Sequence, residues 1–166
     1  MHNRIFQLEK MEDINAKTIS KINANTFLER TNLINTIADY IADIEDDDSF
    51  DLKNEYDWFA KNLISYGAIH NKEDNTITFP KNFKYNYFKN RFTKFKETVQ
   101  SINLDDFVDD STLRLYGIKE LINNEFGFYV CNSNYEFDTL DNFIRGLAAY
   151  KKHTYKLITV LDYHFQ

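Results

Sequence analysis

Nine carboxylates crowd residues 39–57 (Asp39, Asp43, Glu45, Asp46, Asp47, Asp48, Asp51, Glu55 and Asp57), and Lys53 is the only cation among them. Part of this run falls within an apolar period of 3.6. Leu33, Ile34, Ile37, Ile41 and Ile44 predict a helix over residues 27–45, opened by Thr26 and Glu29 as a capping box. On that helix Asp39, Asp43 and Asp47 fall at i, i+4 and i+8, opposite the isoleucines. Four residues of helix rise about 6 Å, the same order as the spacing of phosphates along a nucleic-acid strand. Like charges four apart cost about 0.2–0.5 kcal/mol per pair, and carboxylates near a helix C-terminus oppose its dipole by about 0.3–1 kcal/mol each. A run kept at such a local cost suggests a docking face for a basic partner. Asp39, Asp43, Asp46, Asp47 and Asp48 would supply charge, with Tyr40 and Trp58 as aromatic anchors. The plainer reading is a solvated face whose last members, Asp48, Ser49 and Asp51, cap the next helix. A calcium loop does not fit. Counted from Asp47, the sixth position is Leu52 and the twelfth Trp58, where such a loop needs Gly and Glu.

A second constellation is basic and aromatic. Lys81, Lys84, Lys89, Arg91, Lys94 and Lys96 occur within a stretch that holds no acid, interleaved with Tyr85, Tyr87, Phe88, Phe92 and Phe95. Cations that neutralise phosphates beside rings that stack on bases suit single-stranded nucleic acid, and Lys84, Lys89, Arg91 and Lys94 are the candidates for that role. Phe88, Phe92, Phe95, Val99 and Ile102 also form the buried stripe of an amphipathic helix over 82–102, which is the simpler account.

Catalytic and cofactor chemistry is poorly provided for. His2, His70, His153 and His164 show no short metal-ligand spacing. Cys131, alone of its kind, lies in a strand-like run where a thiol behaves as a small hydrophobe. Gly67, Gly117, Gly127 and Gly146 are too scattered for a phosphate-cradling loop or a nucleophile elbow. The expectation is a non-enzymatic protein with no metal and no cofactor.

The elements that must carry these residues can be read from periodicity. Residues 4–8 suit a strand or a first helical turn, and 11–22 show a helical apolar face. A helix over 51–66 places Leu52, Tyr56, Phe59, Leu63 and Tyr66 on one side, and Gly67 follows as its left-handed terminator. Residues 68–79 read as a β-hairpin around a polar loop. The order of residues 27–79 loosely resembles a winged-helix module, though the helix in the recognition position is net acidic. An acidic connector spans 103–110, and residues 112–116 suit either strand or helix. Residues 126–131 read as a strand, Asp138 or Thr139 caps a helix over Leu140–Leu147, and Tyr155–Phe165 forms a long strand. That last strand is apolar on both sides and therefore central. The fold class is α+β. Residues 1–102 form a helix-rich lobe with the hairpin, 103–166 a strand–helix–strand lobe, and the two make up one domain. The expected core includes Ile37, Ile41, Phe59, Leu63, Phe92, Phe95, Val99, Leu157 and Val160.

The whole chain has 166 residues, 26 acids against 20 Lys and Arg, a net charge of -6 and 43% hydrophobic residues. That composition supports a packed core. No apolar window has the length of a signal peptide or a membrane span, so the expectation is a cytoplasmic protein. In size, acidity and freedom from motifs the chain is similar to phage-encoded anti-restriction and anti-CRISPR proteins and to toxin-neutralising immunity proteins. The resemblance is one of overall character and matches no functional residue. It implies an inhibitor that blocks a basic partner engaged with nucleic acid; direct nucleic-acid binding through residues 81–96, or an enzyme with an unrecognised site, are the alternatives.

Overall fold

The computed structural model describes residues 2–16, 18–31, 38–44, 52–109 and 113–165. Its architecture is α+β, built on one mixed sheet. The strands are β1 (His2–Lys10), β2 (Ala38–Asp43), β3 (Ile69–Asn71), β4 (Thr76–Phe79), β5 (Tyr129–Cys131), β6 (Phe137–Thr139) and β7 (His153–Phe165). The main order is β3–β4–β7–β1–β5–β6, and β2 also pairs with β7.

β7 is the hub. One edge pairs antiparallel with β1 from Tyr155 to His164. Its other edge takes β4 against 153–156 and β2 against 161–165. A strand has only two edges, so β2 and β4 must lie end to end along the same one. On the far side of β1, β5 runs parallel, with Ile5 opposite Tyr129 and Gln7 opposite Cys131. Between Gln7 and Leu8 the partner steps from Thr159 to Leu157, a bulge that leaves Ile158 unopposed.

Both faces of the sheet are covered, which explains why β1 and β7 carry near-continuous apolar runs. Phe6, Leu8, Val130, Leu157 and Val160 pack on one side against α3 (Leu52–Ile64), the first half of α4 (Phe83–Ser101) and α7 (Leu140–Gly146). Ile5, Tyr129, Cys131, Leu161 and Tyr163 pack on the other against Ile22, Ala24 and Phe27. Buried Gln7 fixes that second layer: its Oε1 accepts from Ile22 N at 3.0 Å and its Nε2 donates to Ser20 O at 2.9 Å.

Several expectations hold. α3, the hairpin β3–β4, α4 and the central β7 lie where periodicity put them, and Gly67 terminates α3 at φ +101°. Thr139 caps α7 by accepting from Asn142 N. Ile41, Phe59, Leu63, Leu157 and Val160 are buried. Residues from Leu113 are helical, forming α6 (Leu113–Asn123), and the acidic connector contains α5 (Leu104–Val108).

Others are corrected. The single helix expected over 27–45 is not what the described residues of that range form. α2 spans Ala24–Arg30, with Asn23 rather than Thr26 as its N-cap, and residues 38–43 are β2. Asp, Tyr and Ile, which make up most of this segment, are weak helix formers, and the open edge of β7 offers it a ladder of backbone bonds. Ile37 lies outside the described residues. β2 also breaks the winged-helix order. The helical face at 11–22 shrinks to α1 (Met11–Ile14). Along α4, Phe83 and Tyr87 are buried, while Phe92 is 60% and Val99 44% exposed and Phe95 is half-buried, so the expected stripe is core only at its start.

Candidate functional site

The C-terminal ends of the parallel strands β1 and β5 open into a cavity of about 350 Å³. That is where ligands of sheets with parallel strands commonly bind. Leu8, Val130, Phe137, Phe143 and Tyr155 form its apolar wall, and Glu9, Asp13, Glu136 and Asp138 supply four carboxylates against Lys10. Glu9 is the most buried of these acids, only 5% exposed. The strand's last turns bury it, and its Oε1 accepts from Gln7 Nε2 at 3.0 Å and from Ser133 N. Asn132 steadies the opposite rim: its Nδ2 donates to Glu136 Oε2 at 2.7 Å, while its Oδ1 accepts from the amides of Asn134 and Glu136. Cys131 also lines the cavity. Burial, with the Glu9 charge beside it, pushes its thiol up to about 12, so it is neutral at pH 7 and a poor nucleophile. An apolar pocket lined by carboxylates suits the stem and head of a cationic side chain.

At the other end of β1 the strand pairing gathers a charged network. His2 Nδ1 lies 2.7 Å from Asp162 Oδ2, Arg4 pairs with Asp162, and Arg4 Nε donates to Glu55 Oε2 at 2.9 Å. His164 Nδ1 lies 2.7 Å from Asp39 Oδ1, and the His2 and His164 rings are 4.9 Å apart. The His164 hydrogen bond holds the Asp39 carboxyl below its ordinary value. Trp58 sits at the far end of this network, under the Arg4 guanidinium at 5.7 Å and edge-on to Phe128.

The acids expected to form one outward face are thus distributed. Asp39 is the bulged residue of β2 and faces His164, whereas Asp43 Oδ1 accepts from Ala24 N at 2.9 Å and holds the start of α2. Asp46, Asp47 and Asp48 lie outside the described residues. Tyr40 and Trp58 are both exposed.

The four cations of α4 that are candidates for nucleic acid, Lys84, Lys89, Arg91 and Lys94, divide equally. Lys84 Nζ donates to the carbonyls of Arg145 and Leu147 at the end of α7. Arg91 donates to the carbonyls of Glu120 and Leu121 and lies 2.9 Å from Asp141, which is fully buried. Asp141 also accepts from Tyr87 Oη and Asn124 Nδ2. Burial, reinforced by Asp141, raises the Tyr87 phenol well above its ordinary value and keeps it a donor. Lys89 and Lys94 remain exposed.

Sequence reasoning missed Glu9, Asp13, Glu136 and Asp138. They come from two segments, Glu9 and Asp13 from one and Glu136 and Asp138 from the other, and the β1–β5 pairing brings those segments together. Glu9 carried one signal, an acid closing the apolar run of a strand. Among the described residues no helix is long and apolar enough to cross a membrane, and no group of three or more His, Cys, Asp or Glu side chains is placed to hold a metal ion. Neither protein families, curated proteins nor solved structures give a significant match to this chain.

Proposed function

We propose that the protein is a non-enzymatic binding protein that engages a basic partner by taking a lysine or arginine side chain of that partner into the acid-lined cavity. The observation that carries this reading is Glu9, a buried acid in the lining of a cavity with four carboxylates and an aromatic wall. A cation entering there would exchange water for a charge-assisted hydrogen bond and for packing of its methylenes on Phe143 and Tyr155. The net charge of -6 favours the same class of partner at long range, because like-signed fields steer oppositely charged surfaces into encounter. A protein that processes nucleic acid has the required basic groove, and blocking it is the action of the anti-restriction, anti-CRISPR and immunity-type inhibitors that this chain resembles in character. In this reading Asp46, Asp47 and Asp48 contribute to steering, and the cavity supplies the anchor.

An arginine-rich peptide serves as the probe, titrated against the full chain at low and moderate salt. Glu9→Gln retains a hydrogen-bond acceptor and removes the charge. It is expected to weaken peptide binding by about 2 kcal/mol, roughly 30-fold, mainly through faster dissociation. Asp39→Asn, whose partner is His164, is expected to leave dissociation unchanged. Equal binding by the wild type and Glu9→Gln, or equal affinity for an uncharged peptide of the same length, would overturn the reading.

A further inference from the structure

We propose that the cleft at the N-terminal end of β1 is a binding site for an uncharged purine, as the free base or its nucleoside. The cleft measures about 330 Å³, small for a ligand site. α3 brings Trp58 and Asn62 to it, and the segment after α6 brings Asn124 and Phe128. The Trp58 and Phe128 rings are perpendicular at 4.8 Å; Tyr66 and Tyr87, which also line the cleft, meet edge to face at 5.0 Å. No lysine, arginine or carboxylate stands in the lining, and its one imidazole, His2, is engaged by Asp162.

Asn124 is the polar group of this lining that the fold supports most firmly. Its Nδ2 donates at 3.2 Å to Asp141 Oδ1, which also takes the Tyr87 phenol, and Arg91 neutralises that buried carboxylate from 2.9 Å. Its carboxamide lies against Gly127, where a Cβ would stand 2.4 Å away. A buried ion pair seldom stabilises a fold by itself; what this one secures on the cleft side is the placing of Asn124 and Tyr87. One N–H of the carboxamide is thereby engaged. The second N–H and Oδ1 have no partner among the described residues, and together they are the donor and acceptor that pair with N7 and the 6-amino group of an adenine. Asn62 is placed similarly, its Nδ2 donating to the Trp58 carbonyl at 2.7 Å while its Oδ1 accepts nothing from the described residues. A purine carries its polar atoms round the edge and has two faces that stack on rings, which matches carboxamides among aromatic side chains. A sugar carries hydroxyls instead of stacking faces, and this lining would leave most of them unpaired, at a cost. A phosphate would meet no cation in the lining and a net charge of -6 around it, so the ligand is the base or nucleoside and not the nucleotide. The acid-lined cavity lies at the opposite end of β1 and plays no part.

Trp58 is the only tryptophan in the chain, so its fluorescence reads the cleft directly. Adenosine titrated into the full chain is expected to quench it with one-to-one saturation, and moderate salt should leave the affinity unchanged because no ion pair forms. Adenosine monophosphate should bind less well. Asn124→Gly, with a residue that adopts φ 49° freely, should weaken adenosine binding about tenfold. Asn62→Ala, at an exposed position of α3, should weaken it too without touching the buried network, and carries the test if the first variant does not fold. Glu9→Gln should bind adenosine as the wild type does. Quenching that never saturates up to the solubility of adenosine, undiminished binding by the carboxamide variants, or tighter binding of the monophosphate or of a methyl glucoside than of adenosine would overturn the proposal.

Discussion

His70 hangs from β3 with its side chain 4% exposed, its Nδ1 3.3 Å from Asp57 Oδ1 and its Nε2 without a hydrogen-bond partner. Burial lowers its pKa from 6.5, and the nearby Asp57 only partly opposes this. The sign of the linkage follows. Between its folded pKa and 6.5 the unfolded chain binds the proton and the native protein does not, so stability rises with pH through that window and is lost as pH falls below about 6.5. An unsatisfied buried nitrogen costs about 1 kcal/mol or more. His70→Leu is therefore expected to stabilise the protein by about 1 kcal/mol at pH 8 and by more at pH 5.5, read from urea denaturation at the two pH values. A gain that shrinks at the lower pH would refute the assignment. Gly127 is constrained in a different way. A Cβ there would stand 2.4 Å from the Asn124 carboxamide, which is held by Asp141 and belongs to a left-handed residue at φ 49°. The turn is closed over that amide, so a side chain at position 127 would displace a member of the buried network.

At the scale of elements, α4 shows how far a helical period can be trusted. Its heptad-like phenylalanines located the helix almost to the residue. They did not show that α3 and α7 cover only its first half, because burial depends on neighbours distant in sequence. β2 shows the converse. Ile37, Ile41 and Ile44 satisfy a helical spacing, yet the open edge of β7 claims residues 38–43 as a strand. The acidic face built on that helix was consequently displaced, and the carboxylates of the cavity came from strand ends and turns that no local pattern links. Arg91 joins three elements, because it meets the C-terminal carbonyls of α6 and the Asp141 carboxylate of α7 from its place on α4. Arg91→Gln leaves Asp141 buried without its cation, a change that costs about 3 kcal/mol when a buried pair is broken. Lys94→Gln, one turn further along and in water, should change stability by less than about 0.5 kcal/mol. Chemical denaturation of the two variants separates a structural cation from a surface one, and equal effects would contradict this division of roles.

For the molecule as a whole, the decisive contact is the pairing of its two ends. β1 and β7 meet from His2↔His164 to Lys10↔Tyr155, so the central ladder of the sheet joins residues about 150 positions apart. The apolar character of both strands was visible in the sequence, and it identified β7 as central. Their partnership was not, because nothing in a one-dimensional period encodes which edges meet. The consequence is that neither half can complete its own core. Phe6 and Leu8 need Leu157 and Val160 beside them, and Ile5 needs Leu161 and Tyr163. Among the described residues β2 and β4 likewise have their long-range ladders on β7 alone. A chain ending at Lys152 retains α3, α4 and α7 but loses the strand on which both core layers rest. It is expected to lack a cooperative urea transition, to keep part of its helical circular dichroism, and to bind a hydrophobic dye as a loosely packed collapsed state does. In the intact protein the same dependence makes refolding slow, because the loop between the two strands must close before their contacts stabilise anything. A cooperative transition in the shortened chain would show that the helical elements form a core of their own.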